Sequence, residues 1–160
     1  MRLIVAAVGR LKDGPERKLY DRYAERIGAV GRAVGLGPLE TRETPESRAA
    51  AVETRLAEEA ARLLAKCRDA DLRVALDARG KGLTSQAFAL EIRDWRDRGA
   101  DRCTFLIGGP DGHGAAALEG ADLVLSLGPL TLPHGLARIV LAEQLYRAAT
   151  ILSGHPYHRG

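Results

Sequence analysis

Short apolar runs alternate with amphipathic segments along most of the chain. Residues 3–8, LIVAAV, form an unbroken apolar run of strand length, typical of a strand buried on both faces of a parallel sheet. Further apolar runs begin the segments 72–82 and 103–114 and fill 123–127, and each predicts a strand. A second strand is predicted around Leu36–Thr41, after a glycine-rich stretch that reads as a loop.

Between these apolar runs, the sequence shows the periodicity of amphipathic helices. In the first helix, four-residue spacing predicts that Leu19, Tyr23 and Ile27 form the buried face. Trp95 lies on the apolar face of the third helix and is predicted to be a core residue rather than a cofactor-stacking one. The four helices are predicted from Asp13 or Gly14 to Ile27, from Pro45 or Glu46 to Lys66, from Thr84 or Ser85 to Arg98, and from Pro133 to Ser153.

The alternation of strands and helices predicts an α/β fold with a mostly parallel sheet flanked by helices. A length of 160 residues suits one domain, residues 1–160, with a single core. Hydrophobic residues make up 46% and charged residues 28%, which excludes a disordered chain. The formal charge of +3 permits a nucleic-acid partner without requiring one.

Cysteine and histidine usage bears on compartment and metals. Cys67 and Cys103 form no CxxC motif, and no His/Cys cluster accompanies them, so we expect neither a disulfide framework nor a metal site. A reduced, cytoplasmic protein is the natural interpretation. The most apolar long stretch is interrupted by Arg138, Glu143 and Arg147, so we expect no membrane association.

Three turns are predicted at the carboxyl ends of neighbouring strands, at residues 76–80, 108–112 and 127–132. Ligands of open α/β sheets bind at this edge, and glycines there let a ligand approach the backbone. The turns lack the GxGxxG and P-loop patterns, so we expect a pocket for an adenosine that carries a neutral or positive group. Asp77 would either accept a hydrogen bond from such a ligand or cap its own turn.

The last helix is apolar on nearly every side, which predicts a second covering surface and therefore a homodimer. Its polar residues Glu143, Arg147 and Thr150 form only a narrow strip. Arg138 lies opposite that strip, where a charge needs a partner. We interpret it as either an ion-pair residue at the subunit interface or a residue of the functional site.

Four motifs carry a resemblance that extends from Val5 to Arg159. They are IGGP at 107–110, LTLPH at 130–134, LAEQLYRA at 141–148 and HPYHR at 155–159. In order and spacing they resemble the ribosomal RNA large-subunit methyltransferase H family. The terminal pentapeptide together with the LTLPH step is a highly specific combination.

The resemblance implies a SPOUT-class fold with a C-terminal trefoil knot, acting as a homodimer with S-adenosylmethionine. It also implies methylation of N3 of a pseudouridine in 23S ribosomal RNA on the assembled ribosome. Relative to the family, Gly128-Pro129 replaces a common serine and a less rigid residue, and Asp111 replaces a common glutamate. Carried over residue by residue, the cofactor-binding positions are Leu76, Gly108, Leu127, Gly128, Pro129, Leu130, Thr131 and Leu132.

Methyl transfer to N3 requires that the N3 proton leave, so a base or a group that stabilises the anion is needed. Tyr157 is suited to stack on an extruded base, and Arg159 to hold a phosphate or a uracil carbonyl. Our hypothesis is that the tail of one subunit closes the cofactor pocket of the other. The catalytic candidates are Arg138, His155, Tyr157, His158 and Arg159.

Two other classes of function stay open at the level of sequence. A non-catalytic ribosome- or RNA-binding α/β module would share the tail chemistry but bind S-adenosylmethionine weakly or not at all. A nucleotide- or flavin-dependent α/β enzyme is disfavoured because the phosphate-binding fingerprints are missing.

Overall fold

A computed structural model describes residues 1–69 and 71–159 as a five-stranded sheet flanked by helices. All strand pairs are parallel, in the order β2-β1-β4-β3-β5. This confirms the predicted fold class, whereas the threading of the trefoil knot stays a prediction. The elements are β1 (Arg2–Val8), α1 (Pro15–Val30), a 3-10 turn (Gly31–Val34), β2 (Leu39–Thr44), α2 (Val52–Leu64), β3 (Leu72–Gly82), α3 (Ser85–Asp97), β4 (Arg102–Ile107), α4 (Ala115–Glu119), β5 (Leu123–Ser126) and α5 (His134–Ser153).

The sheet buries both of its faces, because successive side chains of a strand point in opposite directions. Leu3 and Val5 of β1 lie in a core with α1, α3 and α5, whereas Ala6 and Val8 of the same strand pack with α2 and α4. Residues 3–8 are all fully buried. Because β1 is buried on both faces, its sequence is a continuous apolar run instead of an alternation of apolar and polar residues.

Two predicted boundaries were wrong. The second strand is Leu39–Thr44 instead of Leu36–Thr41, because the chain turns through Gly37-Pro38 before pairing begins at Leu3↔Leu39. The second helix begins at Val52 rather than at Pro45 or Glu46. The preceding segment is held as a loop, in which the Ser47 N–H donates to the Glu59 carboxylate at 2.8 Å.

The buried face of α1 was also predicted incorrectly at one position. Leu19 is 37% exposed, and its neighbour Tyr20 is buried in its place. A buried tyrosine needs a partner for its hydroxyl, and that of Tyr20 lies 2.7 Å from the hydroxyl of Thr41 on β2. The aromatic ring therefore occupies the core while its polar end is satisfied at the sheet edge.

Strand β3 continues through the segment predicted as the first turn. Its register against β5 shifts between Leu76 and Lys81, so the chain bulges and then resumes pairing up to Gly82. A Cβ atom at Gly80 would lie 2.6 Å from the Val124 carbonyl oxygen. Glycine at position 80 thus permits the close crossing of the two backbones.

Helix α5 is joined to the sheet by a buried guanidinium. Arg138 is fully buried and donates to the Glu43 carboxylate at 2.7 Å and to the carbonyls of Val8 and Gly9 at 3.1 and 2.7 Å. Glu43 also accepts the Leu11 N–H at 2.8 Å. One side chain therefore connects the first turns of α5 to the carboxyl ends of β1 and β2, and the ion pair expected for Arg138 lies within one chain.

Replacing Arg138 by methionine should lower the free energy of unfolding by about 3 kcal/mol, because a partly buried carboxylate and two carbonyls lose their donor. Arg22→Met, at an exposed position of α1, is the matched control and should change stability by less than about 0.5 kcal/mol. Urea unfolding at a fixed protein concentration measures both. Equal stability of the two variants would contradict the structural role of Arg138.

The charge on Glu43 makes a pH-dependent contribution to the free energy of unfolding. Burial raises its pKa, but hydrogen bonds from Leu11 and Arg138 and the charges of Arg138 and Arg17 outweigh burial, so the pKa lies below its ordinary value. A carboxyl with a depressed pKa stabilises the fold above its unfolded pKa of about 4.3 and loses that contribution as the pH falls through the folded value.

Wild type should therefore exceed Glu43→Gln in unfolding free energy by about 1 kcal/mol at pH 7. The difference should shrink as the pH falls below about 4 and through the lowered folded pKa of Glu43, because the carboxyl is progressively protonated and becomes neutral like glutamine. Urea unfolding between pH 3 and pH 7, with both proteins in the same buffers, measures the difference. If the difference in unfolding free energy between the two proteins stayed constant across this pH range, the charge of Glu43 would not stabilise the fold.

Candidate functional site

A cleft opens at the carboxyl ends of β3 and β4, beside the chain that leads into α5. Its larger part is a cavity of about 530 Å³, and an adjoining cavity of about 340 Å³ extends it towards β5. The two share seven lining residues and so form one continuous site. The shared residues are Leu76, Gly109, Pro110, Gly112, Thr131, Leu132 and Ala137.

Most of the predicted cofactor positions line this cleft. Leu76, Thr131 and Leu132 line both parts of it, and Gly108 lines the larger part. The residues 127, 128 and 130 line the adjoining part, and Pro129 lies exposed between them. The cleft therefore joins the three segments that were predicted to meet at this edge of the sheet.

The Gly108–Gly112 loop closes on itself through a bridge between Gly109 and Gly112. A Cβ atom at Gly108 would overlap the Gly112 carbonyl group, lying 2.6 Å from its carbon. A Cβ atom at Gly109 would lie 2.7 Å from the buried Glu59 carboxylate. Gly108 thus requires glycine because its neighbour is backbone, whereas a side chain at Gly109 would displace the Glu59 carboxylate. The glycines of the loop offer bare backbone to a ligand, beside the side chains of Pro110 and Asp111.

Two carboxylates line the smaller part of the cleft, and each is paired with an arginine. Asp77 accepts from the backbone N–H and the guanidinium of Arg79 at 2.9 Å, and these interactions lower the pKa of Asp77 to about 2. Of the two sequence interpretations of Asp77, the local cap is therefore the one observed. Asp111 pairs with Arg55 at 2.7 Å, and that hydrogen bond lowers the pKa of Asp111. Both groups are acceptors that stay ionised.

A buried histidine in the cleft was missed at the level of sequence. His113 is 8% exposed and lines the larger cavity. Its Nε2 lies 3.2 Å from the Leu106 carbonyl, whereas Nδ1 has no partner among the described residues. Burial lowers the pKa of His113, although the backbone groups of Leu106 and Leu76 and the charge of Asp77 act against it. In the sequence, the only feature that indicates a place for His113 in the cleft is its position directly after the glycine-rich loop.

The C-terminal tail folds back onto the polar strip of α5 in its own chain. The Tyr157 ring packs against Tyr146 at 4.6 Å and under the Arg147 guanidinium at 4.8 Å. Its hydroxyl donates to the Glu143 carboxylate at 3.0 Å. Burial and the hydrogen bonds with Tyr23 and Glu143 raise the pKa of Tyr157 well above its ordinary range, so the phenol stays protonated. Tyr157 is thus held as a donor rather than as a base.

Histidine and arginine side chains of the tail fall into two groups. His158 contacts Arg147 through Nδ1 at 3.3 Å and Gln86 through Nε2 at 2.9 Å. Arginine can only donate, so Nδ1 accepts and Nε2 carries the proton. The Gln86 amide nitrogen faces this proton, and two donors cannot pair, so the amide is assigned the flipped orientation, in which its oxygen accepts. His155 and Arg159 are exposed, and the His155 Nδ1 accepts the Tyr157 N–H at 3.2 Å. The tail residues do not line either part of the cleft within the described chain.

Within residues 1–69 and 71–159, no group of three or more histidine, cysteine, aspartate or glutamate side chains is placed to hold a metal ion. No helix in these ranges is long and apolar enough to cross a membrane.

Gly108→Ala should lower the free energy of unfolding by about 2 kcal/mol, because the new methyl group meets backbone atoms of Gly112 that cannot rotate away. Gly28→Ala is the control, since a Cβ atom there has nothing within 4 Å and alanine favours the helical conformation of α1. Urea unfolding should therefore separate the two variants. The packing argument fails if Gly108→Ala is as stable as Gly28→Ala.

The chain is similar to known proteins over nearly its whole length. A family model described as "Predicted SPOUT methyltransferase" matches residues 1–158. The chain is 52% identical to ribosomal RNA large subunit methyltransferase H of Bradyrhizobium diazoefficiens and 53% identical to that of Brucella anthropi, with 99% of both chains covered in each case. It is 48% identical to the same enzyme of Nitrobacter hamburgensis over the full length of both chains. The chain thus belongs to the SPOUT methyltransferases and, among them, to the ribosomal RNA large subunit methyltransferase H family.

Proposed function

We propose that this protein transfers a methyl group from S-adenosylmethionine to N3 of a pseudouridine in 23S ribosomal RNA, on the assembled ribosome in the cytoplasm. The observation that carries the proposal is the continuous cleft at the carboxyl ends of β3 and β4, which is lined by the family's cofactor positions Leu76, Gly108 and Thr131. Membership of a methyltransferase family and relatives that are named for ribosomal RNA support the same conclusion.

The cleft suits S-adenosylmethionine in size and chemistry. A cavity of about 530 Å³ lies within the range of about 300–1,000 Å³ that small-ligand sites occupy. Apolar side chains such as Leu76, Ile107 and Leu132 match a nucleoside, and the glycine loop lets its edges reach the backbone. Asp77 and Asp111 are ionised, but each is paired with an arginine, so they offer acceptor oxygens rather than a net negative charge beside the cofactor's positive groups. When bound, the cofactor supplies an electrophilic methyl group.

The protein's own contribution is alignment, exclusion of water and handling of one proton. In-line displacement needs the N3 lone pair to face the methyl carbon, which depends on precise placement of the loop 127–132. Arg138 acts as a positioning residue, because it fixes the start of α5 directly after that loop. The N3 proton must pass to a base, and the protonated Tyr157 is excluded from that role. His155, His158 and Arg159 stay the candidates for proton handling and anion stabilisation.

The same proposal includes a homodimer in which the tail of one subunit reaches the cleft of the other. Leu130 is 78% exposed at the rim of the cleft, and Leu136 is 43% exposed on α5. These side chains offer apolar surface to a second subunit beside the site. Within one chain the tail packs on α5 and does not line the described cavities. A second copy would bring the reactive tail residues to the cofactor.

Methyl transfer to ribosomes tests the proposed reaction. Labelled S-adenosylmethionine is incubated with assembled ribosomes and with free large subunits from cells that lack this protein, and the labelled nucleoside is mapped by nuclease digestion. We expect label in a methylated pseudouridine, with assembled ribosomes preferred. Cofactor binding without label would refute the proposed substrate, and absence of both would refute the enzyme.

Mixed dimers should show whether the tail acts in trans. One chain ends after Gly154, and the other carries Leu130→Asp at the rim of the cleft. Because Leu130 also borders the proposed subunit surface, size-exclusion chromatography must first show that the Leu130→Asp protein still forms a dimer. Each homodimer should be inactive. The mixed dimer should recover about half of the wild-type rate, because the tail of the Leu130→Asp chain closes the intact cleft of the truncated chain.

Purification through two different affinity tags isolates the mixed dimer, and loss of cofactor binding by the Leu130→Asp homodimer is verified first. If each tail serves its own cleft, the mixed dimer has no complete site and stays inactive. Full activity of the truncated homodimer would instead remove the tail residues from the mechanism altogether.

A further inference from the structure

We propose that Arg55 is a positioning residue of the cofactor site, which holds the Gly108–Gly112 loop in its ligand-binding geometry through the carboxylate of Asp111. This inference rests on the proposed function, since it takes S-adenosylmethionine to be the ligand of the cleft. Every residue of the loop lines the cleft, whereas Arg55 lies outside the lining of both of its parts. Arg55 therefore acts on a cofactor only through the loop.

The Gly108–Gly112 loop needs a contact from outside to hold its shape. Three of its five residues are glycines, which lose more conformational freedom on ordering than any other residue. The bridge between Gly109 and Gly112 closes the loop on itself but does not join it to another element. Within residues 1–69 and 71–159, the only side-chain hydrogen bond to the loop is the one that Arg55 Nε donates to Asp111 Oδ2 at 2.7 Å. This contact joins the tip of the loop to α2.

The Arg55 guanidinium is itself held in place by the segment that precedes α2. One of its terminal nitrogens donates to the carbonyls of Ala49 and Ala50 at 3.1 and 2.9 Å, which leaves Nε for Asp111. The fixed fork of a guanidinium loses little freedom for each hydrogen bond that it forms. The side chains of Arg55 and Asp111 are 25% and 31% exposed, so water screens their ion pair only in part. Asp111 is thus bound by a group that is already ordered.

Helix α2 also shapes the chain on either side of Asp111. A Cβ atom at Gly109 would lie 2.7 Å from the Glu59 carboxylate, and one at Gly114 would lie 2.6 Å from the Leu56 carbonyl oxygen. The segment 109–114 therefore packs closely against α2. Packing alone fixes the ends of this segment, and the hydrogen bond from Arg55 fixes Asp111 between them.

Isothermal titration calorimetry with S-adenosylmethionine and S-adenosylhomocysteine tests the inference. Arg55→Met removes the donors and keeps an unbranched apolar side chain. Arg62→Met is the matched control, because Arg62 of the same helix also holds the preceding segment, through the Pro45 carbonyl at 2.9 Å, but does not contact the loop. Asp111→Ala and the double variant Arg55→Met/Asp111→Ala complete a mutant cycle. Circular dichroism and thermal unfolding establish that the variants are folded.

Arg55→Met should weaken the binding of both ligands about fivefold, because binding must then order the loop. The factor should be the same for both ligands, since the order of the loop does not depend on the charge of the cofactor's sulfur. Arg62→Met should bind both ligands as wild type does. In the Asp111→Ala background, Arg55→Met should change the affinity by less than about twofold, because Arg55 acts through Asp111.

Each contrary result has a distinct meaning. Wild-type affinity in Arg55→Met, or an equal loss in Arg62→Met, would overturn the positioning role. A fivefold effect that persists in the Asp111→Ala background would show that Arg55 does not act through Asp111. If Arg55→Met bound S-adenosylmethionine alone more tightly, Arg55 would act by neutralising the carboxylate and not by holding the loop. Failure of the wild-type protein to bind S-adenosylhomocysteine at all would instead refute the proposed function.

Discussion

The buried ion pair between Arg138 and Glu43 is the interaction on which the site depends. A fully buried guanidinium is costly unless its donors find partners. Here a carboxylate and two backbone carbonyls accept from both terminal nitrogens, and Nε alone has no partner among the described residues. These partners come from the carboxyl ends of β1 and β2, whereas Arg138 belongs to α5. The first turns of the last helix are thereby fixed to strands more than ninety residues away in the chain.

The order of the elements anchors the loop 127–132, which lines the cleft, at both of its ends. The loop 127–132 lies between β5, which pairs with β3, and α5, which Arg138 fixes to β1 and β2. Both ends of the loop are therefore anchored, although its residues include the exposed Pro129 and Leu130. Anchored ends allow a glycine-containing loop to hold one geometry with few contacts of its own. This property suits a site that positions its reactants mainly with backbone groups.

Sequence patterns predicted the sheet, four of the helices and the position of the cleft, because these depend on periodicity and on glycine-rich strand ends. They did not predict that Tyr20 rather than Leu19 faces the core, since that choice depends on a hydroxyl partner, Thr41, supplied by another strand. The late start of α2 depends similarly on a tertiary hydrogen bond, from the Ser47 N–H to Glu59. The burial of His113 also required the structure, because a histidine after a glycine-rich loop gives no sign in the sequence that it is buried.

The tail combines a fixed part with an exposed part, and this division has an energetic consequence. Tyr157 and His158 are held by Tyr146, Glu143, Arg147 and Gln86, whereas His155 and Arg159 are exposed. Ordering a flexible segment on binding costs free energy for every side chain that is immobilised. A tail that is already held on α5 has lost much of that freedom before a partner subunit or an RNA arrives. Under the proposed function, the α5 strip of Glu143 and Arg147 therefore lowers the cost of placing the exposed residues over a neighbouring cleft, without itself touching the substrate.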